Sequence, residues 1–311
     1  MRDLEELAQR CVPGRGAVRL ERVGGGLLNE TYRAERAGCV HALRVAAPQA
    51  PEGFAPRGWG CRVAHRAAAA GLAPAVEHCD PDEGILVCRW IPGHAWSAAD
   101  ARVPANVIRF AALLRQVHAL APPSPAHRVS PALWIARYTG LSGGADAPAA
   151  KRLCRLAEPA LRRLDLLAAL PPGAAVLCHG DLHPRNLVDG ENGLVLLDWE
   201  YAHVADPCWD LAVWCASGSL DERQRDTLLT CYLGRAPAPA ECHRLDLVGW
   251  LYEYTCLLWS EVHALRRPDL PPPIPAAHGD RIMRRLAAHP LAAVVAAGQL
   301  RHTTRPGGEC P

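Results

Sequence analysis

Two short apolar runs enclose a polar stretch near the middle of the chain. The first run is Val176-Leu177-Cys178 and the second covers 194–197. Short apolar runs that are bounded by glycine and turn residues are typical of buried strands. The pattern therefore predicts a polar loop that starts at Gly180, crosses 181–186 and is held between two strands.

Upstream of this loop the pattern changes from strands to helices. Apolar and alternating runs between turn residues predict strands at 18–23, 30–35, 40–45 and 85–90. A helix is predicted at 61–70, because Gly71 provides a stop signal. From about residue 100 apolar residues recur at helical spacing, which predicts one helix around 107–117 and another over 151–170.

The composition narrows the class of protein. A net charge of +2 and a pI near 8.0 over 311 residues give no case for binding nucleic acid or an anionic membrane surface. No apolar run approaches the roughly 20 residues of a membrane span. The 13 cysteines are odd in number and form no C-x-x-C pair, which predicts a cytoplasmic protein with free, mostly buried thiols. The tail beyond about residue 300 is predicted to be disordered.

The polar loop carries the residue types that phosphoryl transfer needs. In that reaction the protein mainly positions groups and neutralises charge around the moving phosphate. Asp181 is predicted to face the acceptor hydroxyl, and Asn186 follows five residues later. Asn186 and Asp198 offer the oxygen ligands that Mg²⁺ prefers. The spacing matches the kinase pattern of a catalytic Asp, an Asn five residues on and a later metal-binding Asp.

The stretch H-G-D-L-H-P-R-N at 179–186, together with Asp198-Trp199-Glu200, resembles the aminoglycoside phosphotransferase and choline/ethanolamine kinase superfamily. The likeness is to its choline and thiamine kinase-like branch in particular. The resemblance implies an α+β, bilobal protein-kinase-like fold, with a small antiparallel sheet and one helix in 1–91 and a larger, mostly helical lobe in 92–311. It also implies ATP and Mg²⁺ as cofactors. From the order of elements it places a hinge that meets the adenine ring at Ile91-Pro92-Gly93, although a Pro-Gly pair after an apolar strand fits a plain turn equally well.

The same resemblance predicts the nucleotide site. Gly25, Gly26 and Asn29 match the family form GG-x-x-N, and a glycine-rich hairpin lets backbone amides approach phosphates closely. Arg44 stands where kinases usually place the phosphate-binding lysine, and an arginine can grip phosphate oxygens with two hydrogen bonds. Family members place a glutamate early in the next helix to hold this cation, but here the positions are Gly60-Cys61-Arg62.

Two residues near the loop are predicted to support it rather than to react. His179 is expected to be buried and bonded to loop backbone, and Asp210 is expected to bond back to the loop. A zinc site at His179 and His183 is disfavoured, because H-E-x-x-H requires a glutamate where Gly180 stands. A second His-Gly-Asp at 278–280 lacks the asparagine that a magnesium site needs.

The acceptor is predicted from the aromatic residues late in the chain. Rings beside carboxylates bind cations through cation–π attraction, which suits choline, ethanolamine or thiamine. The candidates are Trp199, Glu200, Trp250, Glu253 and Trp259. The aromatic residues within 250–259 recur at helical spacing and fit a packed core equally well, so cage and core stay open. Two other functions stay open as alternatives: an aminoglycoside or sugar phosphotransferase, and a catalytically silent nucleotide- or ligand-binding protein on a kinase fold. A small-molecule substrate is the predicted partner, and the oligomeric state is left open.

Overall fold

A computed structural model describes residues 4–25, 29–46, 55–140, 174–266 and 272–288. The predicted helix at 151–170, Gly26 and the tail beyond residue 300 lie outside these ranges. The chain divides into two compact units, Met1–Val129 with Gly173–Ala238 and Ser130–Pro172 with Pro239–Pro311. The predicted lobe boundary at residue 91 stays a prediction.

The helices and strands are numbered here in chain order. They are α1 (Leu4–Cys11), β1 (Arg19–Gly25), β2 (Asn29–Arg36), β3 (Cys39–Ala46), α2 (Trp59–Ala69), β4 (Val76–Asp80), β5 (Ile85–Arg89), β6 (Gly93–Ala95), α3 (Ala98–Ala101), α4 (Pro104–His118), α5 (Pro131–Gly140), β7 (Val176–Cys178), β8 (Leu187–Gly190), β9 (Gly193–Leu196), β10 (His203–Ala205), α6 (Cys208–Ser217), α7 (Glu222–Leu233), α8 (Pro239–Arg266) and α9 (Ala276–Ala288). Two 3-10 turns, Pro184–Asn186 and Trp199–Tyr201, lie beside β8 and β10.

A five-stranded antiparallel sheet forms the first part of the chain, in the order β1-β2-β3-β5-β4. Leu7 and Cys11 of α1 are buried against the sheet residues Tyr32, Leu43 and Val87. Burial of apolar side chains on alternate positions of a strand is what holds a helix to one face of a sheet. The predicted strands are present, and β3 is the central strand in the order of the sheet.

Helix α2 begins two residues before the predicted start, at Trp59. Gly58, which precedes it, has a left-handed backbone, and the indole Nε1 of Trp59 donates to the carbonyl of Ala202 at 2.6 Å. The expectation that all thiols are free was wrong, because Cys61 of α2 is bonded to Cys79 of β4. The two residues are 18 apart in the chain, so only folding brings them together. The other nine described cysteines lie outside this disulfide, and three of them are buried, so the expectation of mostly buried thiols does not hold for the described residues.

Two small sheets hold the polar loop at both ends. Strand β7 enters it and pairs with β10, whereas β8 leaves it and pairs with both β6 and β9. Gly93 of the predicted hinge begins β6 and lies opposite Gly190. Strand β8 was not predicted, because its four residues run directly into the turn before β9 and leave no apolar run of their own.

The second unit contains α5, α8 and α9 in its described part. Helix α8 spans 28 residues, and its buried positions include Trp250 and Tyr254, whose ring centroids are 4.1 Å apart. The second His-Gly-Asp lies inside α9 rather than in a loop. Among the described helices none combines the length and the apolar character that a membrane span requires.

Candidate active site

The polar loop is fixed by the carboxylate of Asp210, at the start of α6. The backbone N–H of His179 donates to Asp210 Oδ2 at 2.8 Å, and that of Gly180 donates to Oδ1 at 2.9 Å. The Asp210 side chain is fully buried. Hydrogen bonds to a buried charged acceptor are stronger than those between neutral groups, so Asp210 sets the position of the residues before Asp181.

Asp210 is itself held by a histidine that the sequence analysis did not single out. His118, the last residue of α4, donates from Nε2 to Asp210 Oδ2 at 3.1 Å, and its Nδ1 lies 2.7 Å from the hydroxyl of Tyr232. Burial alone would raise the pKa of Asp210, but the hydrogen bond and charge of His118 and the N–H of Gly180 outweigh it and keep the pKa below its ordinary value. Asp210 is therefore ionised at neutral pH.

Gly180 has a backbone conformation and a neighbour that exclude a side chain. Its φ is +83°, and a Cβ at this position would overlap the carbonyl oxygen of Tyr201. Residues other than glycine resist positive φ because Cβ approaches the backbone oxygen. Close packing against Tyr201 therefore explains why glycine precedes Asp181, where protein kinases carry an arginine.

Replacement of Gly180 by alanine is expected to destabilise the fold beyond the cost of its positive φ. Gly38 is the matched control, because its φ is +78° and a Cβ there would meet nothing within 4 Å. We expect Gly180→Ala to lower the free energy of unfolding by about 1–3 kcal/mol more than Gly38→Ala. Urea denaturation of both variants measures the difference, and equal losses would contradict the packing described here.

Asp181 lies in the loop with about a third of its side chain exposed. Its Oδ2 accepts a hydrogen bond from Asn186 Nδ2 at 3.2 Å, and His183 Nε2 lies 3.5 Å from the same oxygen. Burial alone would raise the pKa of Asp181, but the hydrogen bond and charge of His183 and the hydrogen bond of the Asn186 amide lower it overall. The carboxylate is therefore charged and able to accept a proton.

His179 is fully buried behind the loop. Its Nε2 donates to the carbonyl of Leu197 at 2.8 Å, and its Nδ1 accepts from the backbone N–H of Asp181 at 3.3 Å. Burial lowers the pKa of His179, so the ring is neutral with its proton on Nε2. Through these two bonds His179 joins the loop to the strand end that precedes Asp198.

A backbone hydrogen bond joins the two chain segments that carry Asn186 and Asp198. The Asn186 carbonyl accepts from the N–H of Leu197 at 2.8 Å, which brings the two chain segments together. Asp198 follows Leu197 with φ +64°, in the left-handed region. Such strain in a residue other than glycine is common at functional sites. Both side chains line one cavity of about 400 Å³.

The same cavity contains Arg44, Asn29 and Glu200. Arg44 Nη1 is hydrogen-bonded to Asp198 Oδ1, and Nη2 donates to Glu200 Oε2 at 2.9 Å. Asn29 Nδ2 donates to both Glu200 oxygens, at 3.2 and 3.1 Å. Asn29 and Arg44 are thus joined to Asp198 and Glu200, which lie more than 150 residues later, in one charged cluster. The predicted hinge residues 91–93 do not line this cavity.

The structure describes the glycine-rich hairpin up to Gly25, and the acceptor candidate Trp199 is buried. Gly25 ends β1 opposite Glu30 of β2, and Gly26 lies outside the described residues. Trp199 is 4% exposed, and its Nε1 donates to the carbonyl of Leu196 at 3.0 Å, so it packs in the core beside His179.

The other acceptor candidates are on α8. Trp250 is buried, whereas Glu253 and Trp259 are half-buried. Trp259 lies with its ring centroid 5.9 Å from that of His263. These three residues belong to the second compact unit, and their role as an acceptor site stays a prediction.

The fold is similar to that of solved proteins of the choline/ethanolamine kinase type. A choline/ethanolamine kinase family protein from Mesorhizobium loti is 27% identical, with a TM-score of 0.70 over 90% of this chain and 91% of that chain. Choline kinase LicA from Streptococcus pneumoniae is 19% identical, with a TM-score of 0.74 over 94% of this chain and 99% of that chain. The predicted α+β, kinase-like fold is therefore confirmed.

The family follows from the sequence comparison. The model of the phosphotransferase enzyme family (APH) matches residues 19–245, and the chain belongs to this family. Protein LicA of Haemophilus influenzae is 36% identical over 55 residues, which are 18% of this chain and 21% of LicA. The match thus spans about a fifth of the length of this curated relative. The predicted superfamily is therefore confirmed.

Proposed function

We propose that the protein transfers the γ-phosphate of ATP to a hydroxyl group of a small cationic metabolite of the choline, ethanolamine or thiamine type. The observation that carries this proposal is the arrangement of Asp181, Asn186 and Asp198. Asn186 donates to Asp181 and shares a cavity with Asp198 and Arg44. A proton acceptor, two oxygen ligands and a cation are the parts that phosphoryl transfer uses.

Asp181 is proposed to orient the acceptor hydroxyl and to take its proton as the new P–O bond forms. Its lowered pKa keeps it ionised, which favours hydrogen bonding to the hydroxyl before transfer. The nearby Asn186 amide and His183 fix the direction of the carboxylate. Positioning of a general base in this way contributes about 10²–10⁴-fold to a rate.

The donor set fits Mg²⁺. Asn186 Nδ2 is used by Asp181, so its Oδ1 points away from that carboxylate, and Asp198 offers a carboxylate in the same cavity. Hard oxygen donors of this kind suit Mg²⁺ better than zinc. When bound, the ion neutralises charge on the β- and γ-phosphates. Arg44 is proposed to grip the phosphates, and Asn29 with the glycines of the hairpin to cover them.

Magnesium dependence gives a direct test of the Asp198 assignment. We expect chelation with EDTA to abolish turnover and added Mg²⁺ to restore it. Asp198→Asn is expected to raise the Mg²⁺ concentration for half-maximal activity at least about tenfold, because a charged ligand is lost. Asp226→Asn, an exposed change on α7, is the control. An unchanged Mg²⁺ requirement in Asp198→Asn would show that this residue is not a ligand.

The acceptor is tested by measuring ADP release in a coupled assay with choline, ethanolamine, thiamine, kanamycin and amino sugars. The proposal predicts release above the acceptor-free rate with one of the first three. Release with kanamycin or an amino sugar alone would favour an aminoglycoside or sugar phosphotransferase. A thermal shift with Mg²⁺ and ATP but no release with any acceptor would favour the silent binding protein.

A cytoplasmic location belongs to the same proposal. Its support is the proposed use of ATP and the nine described cysteines outside the disulfide, since a reducing compartment keeps thiols reduced. The bond between Cys61 and Cys79 is the observation that stands against it.

A further inference from the structure

Arg44 carries positive charge into the cavity, and two carboxylates hold it. Arg44 lies on the central strand β3 with 21% of its side chain exposed, and Glu200 is 28% exposed. Its guanidinium bonds to Asp198 through Nη1 and to Glu200 through Nη2. Pairs that are shielded from water attract more strongly than surface pairs. Both carboxylates therefore contribute to the orientation of Arg44.

Helix α2 does not supply either carboxylate. Its first turn contains no acidic residue. A Cβ on Gly60 would lie 3.2 Å from Glu200 Cα and 3.4 Å from the carbonyl oxygen of Trp199. The start of α2 therefore packs directly on the 3-10 turn that carries Glu200. A longer side chain at position 60 has little room, and the acid that faces Arg44 comes from the turn instead.

Glu200 also links Arg44 to the glycine-rich hairpin. Asn29 lies opposite Ala46, and Arg44 lies opposite Thr31. Because side chains alternate along a strand and paired residues share a face, Asn29 and Arg44 leave the same face of the sheet. Asn29 donates to both oxygens of Glu200, whose Oε2 also accepts from Arg44. One carboxylate thus fixes residues on two adjacent strands.

We propose that Glu200 is the positioning residue for Arg44, in place of a helix glutamate. This inference rests on the proposed function, in which Arg44 binds the phosphates and Asp198 is a ligand of Mg²⁺. Once Asp198 binds the metal, Arg44 loses one of its two partners. Glu200 then keeps the guanidinium directed into the cavity. Glu200 is assigned here to the nucleotide site and not to the acceptor.

The test is a double-mutant cycle on nucleotide affinity. Calorimetry with ATP, in Mg²⁺ and in EDTA, gives the Kd for the wild type, Glu200→Gln, Arg44→Met and the double variant. We expect Glu200→Gln to weaken binding about tenfold or more in Mg²⁺. The double variant should bind no worse than Arg44→Met, because Glu200 acts through Arg44. Glu200→Asp, with the charge kept, should recover part of the loss.

Glu35→Gln is the matched control, since Glu35 lies at the end of β2 away from the glycine-rich hairpin and pairs with Arg33; its Kd should equal that of the wild type. Additive losses in the double variant would overturn the inference and assign Glu200 to the metal or the acceptor. If Glu200→Gln binds ATP with the Kd of the wild type, the inference about Glu200 is also overturned. If the wild type binds ATP tightly but shows no turnover, only the proposed function is contradicted. A wild type that binds no nucleotide would overturn both. If Glu200→Gln does not fold, Glu200→Asp replaces it in the double-mutant cycle.

Discussion

Replacement of Asp181 by asparagine is expected to lower kcat at least about a hundredfold and to leave the Kd for ATP nearly unchanged. Asparagine keeps the size of the side chain and its contact with Asn186, but it cannot accept a proton. Asp181 lies outside the set of residues that line the cavity with Arg44 and Asp198, so loss of its charge should affect transfer more than nucleotide binding.

The measurement is steady-state ADP release at saturating acceptor, together with calorimetry for ATP. Asp226→Asn serves as the control, because it makes the same chemical change on the exposed side of α7. Turnover in Asp181→Asn within about threefold of the wild type would remove Asp181 from the proposed chemistry.

Replacement of Asp210 by alanine is expected to lower the free energy of unfolding by about 3–5 kcal/mol. The change leaves the N–H groups of His179 and Gly180 and the ring of His118 without their buried acceptor. Unpaired buried polar groups carry their full desolvation cost. Asp210→Asn, which keeps one acceptor oxygen, should lose less. Urea denaturation measures both variants.

The effect of Asp210 should depend on pH in a defined direction. Its folded pKa is lowered, so its contribution to stability is present above the unfolded value of about 3.9 and is lost as pH falls below it. The difference between wild type and Asp210→Ala should therefore shrink in acid. A difference of less than about 1 kcal/mol at neutral pH would contradict a role for Asp210 in holding the loop.

Local sequence pattern is sufficient to bring some residues of the candidate site together. Asp181 and Asn186 were placed together because Asn186 follows Asp181 by five positions, across a tight loop that contains Pro184, and the structure joins them by a hydrogen bond. The strands at 30–35 and 40–45 were also predicted, from short runs between turn residues, and the structure extends them to Asn29–Arg36 and Cys39–Ala46. Short-range pattern and turn chemistry were sufficient for these features.

The long-range partners could not be predicted from pattern. Arg44 and Glu200 are 156 residues apart, and His118 and Asp210 are 92 apart. His118 ends an amphipathic helix and has no local signal that distinguishes it from a packing residue. Which residue faces Arg44 depends on how closely α2 approaches the turn at Trp199–Tyr201, and that distance is set by tertiary packing.

The most direct measurement of the central claim is ³¹P NMR of the wild type and Asp181→Asn with Mg²⁺, ATP and the acceptor panel. The proposal predicts that the wild type converts the γ-phosphate signal of ATP into a phosphomonoester of one acceptor, and that Asp181→Asn does so far more slowly. Intact ATP with every acceptor, or equal conversion by both proteins, would contradict it.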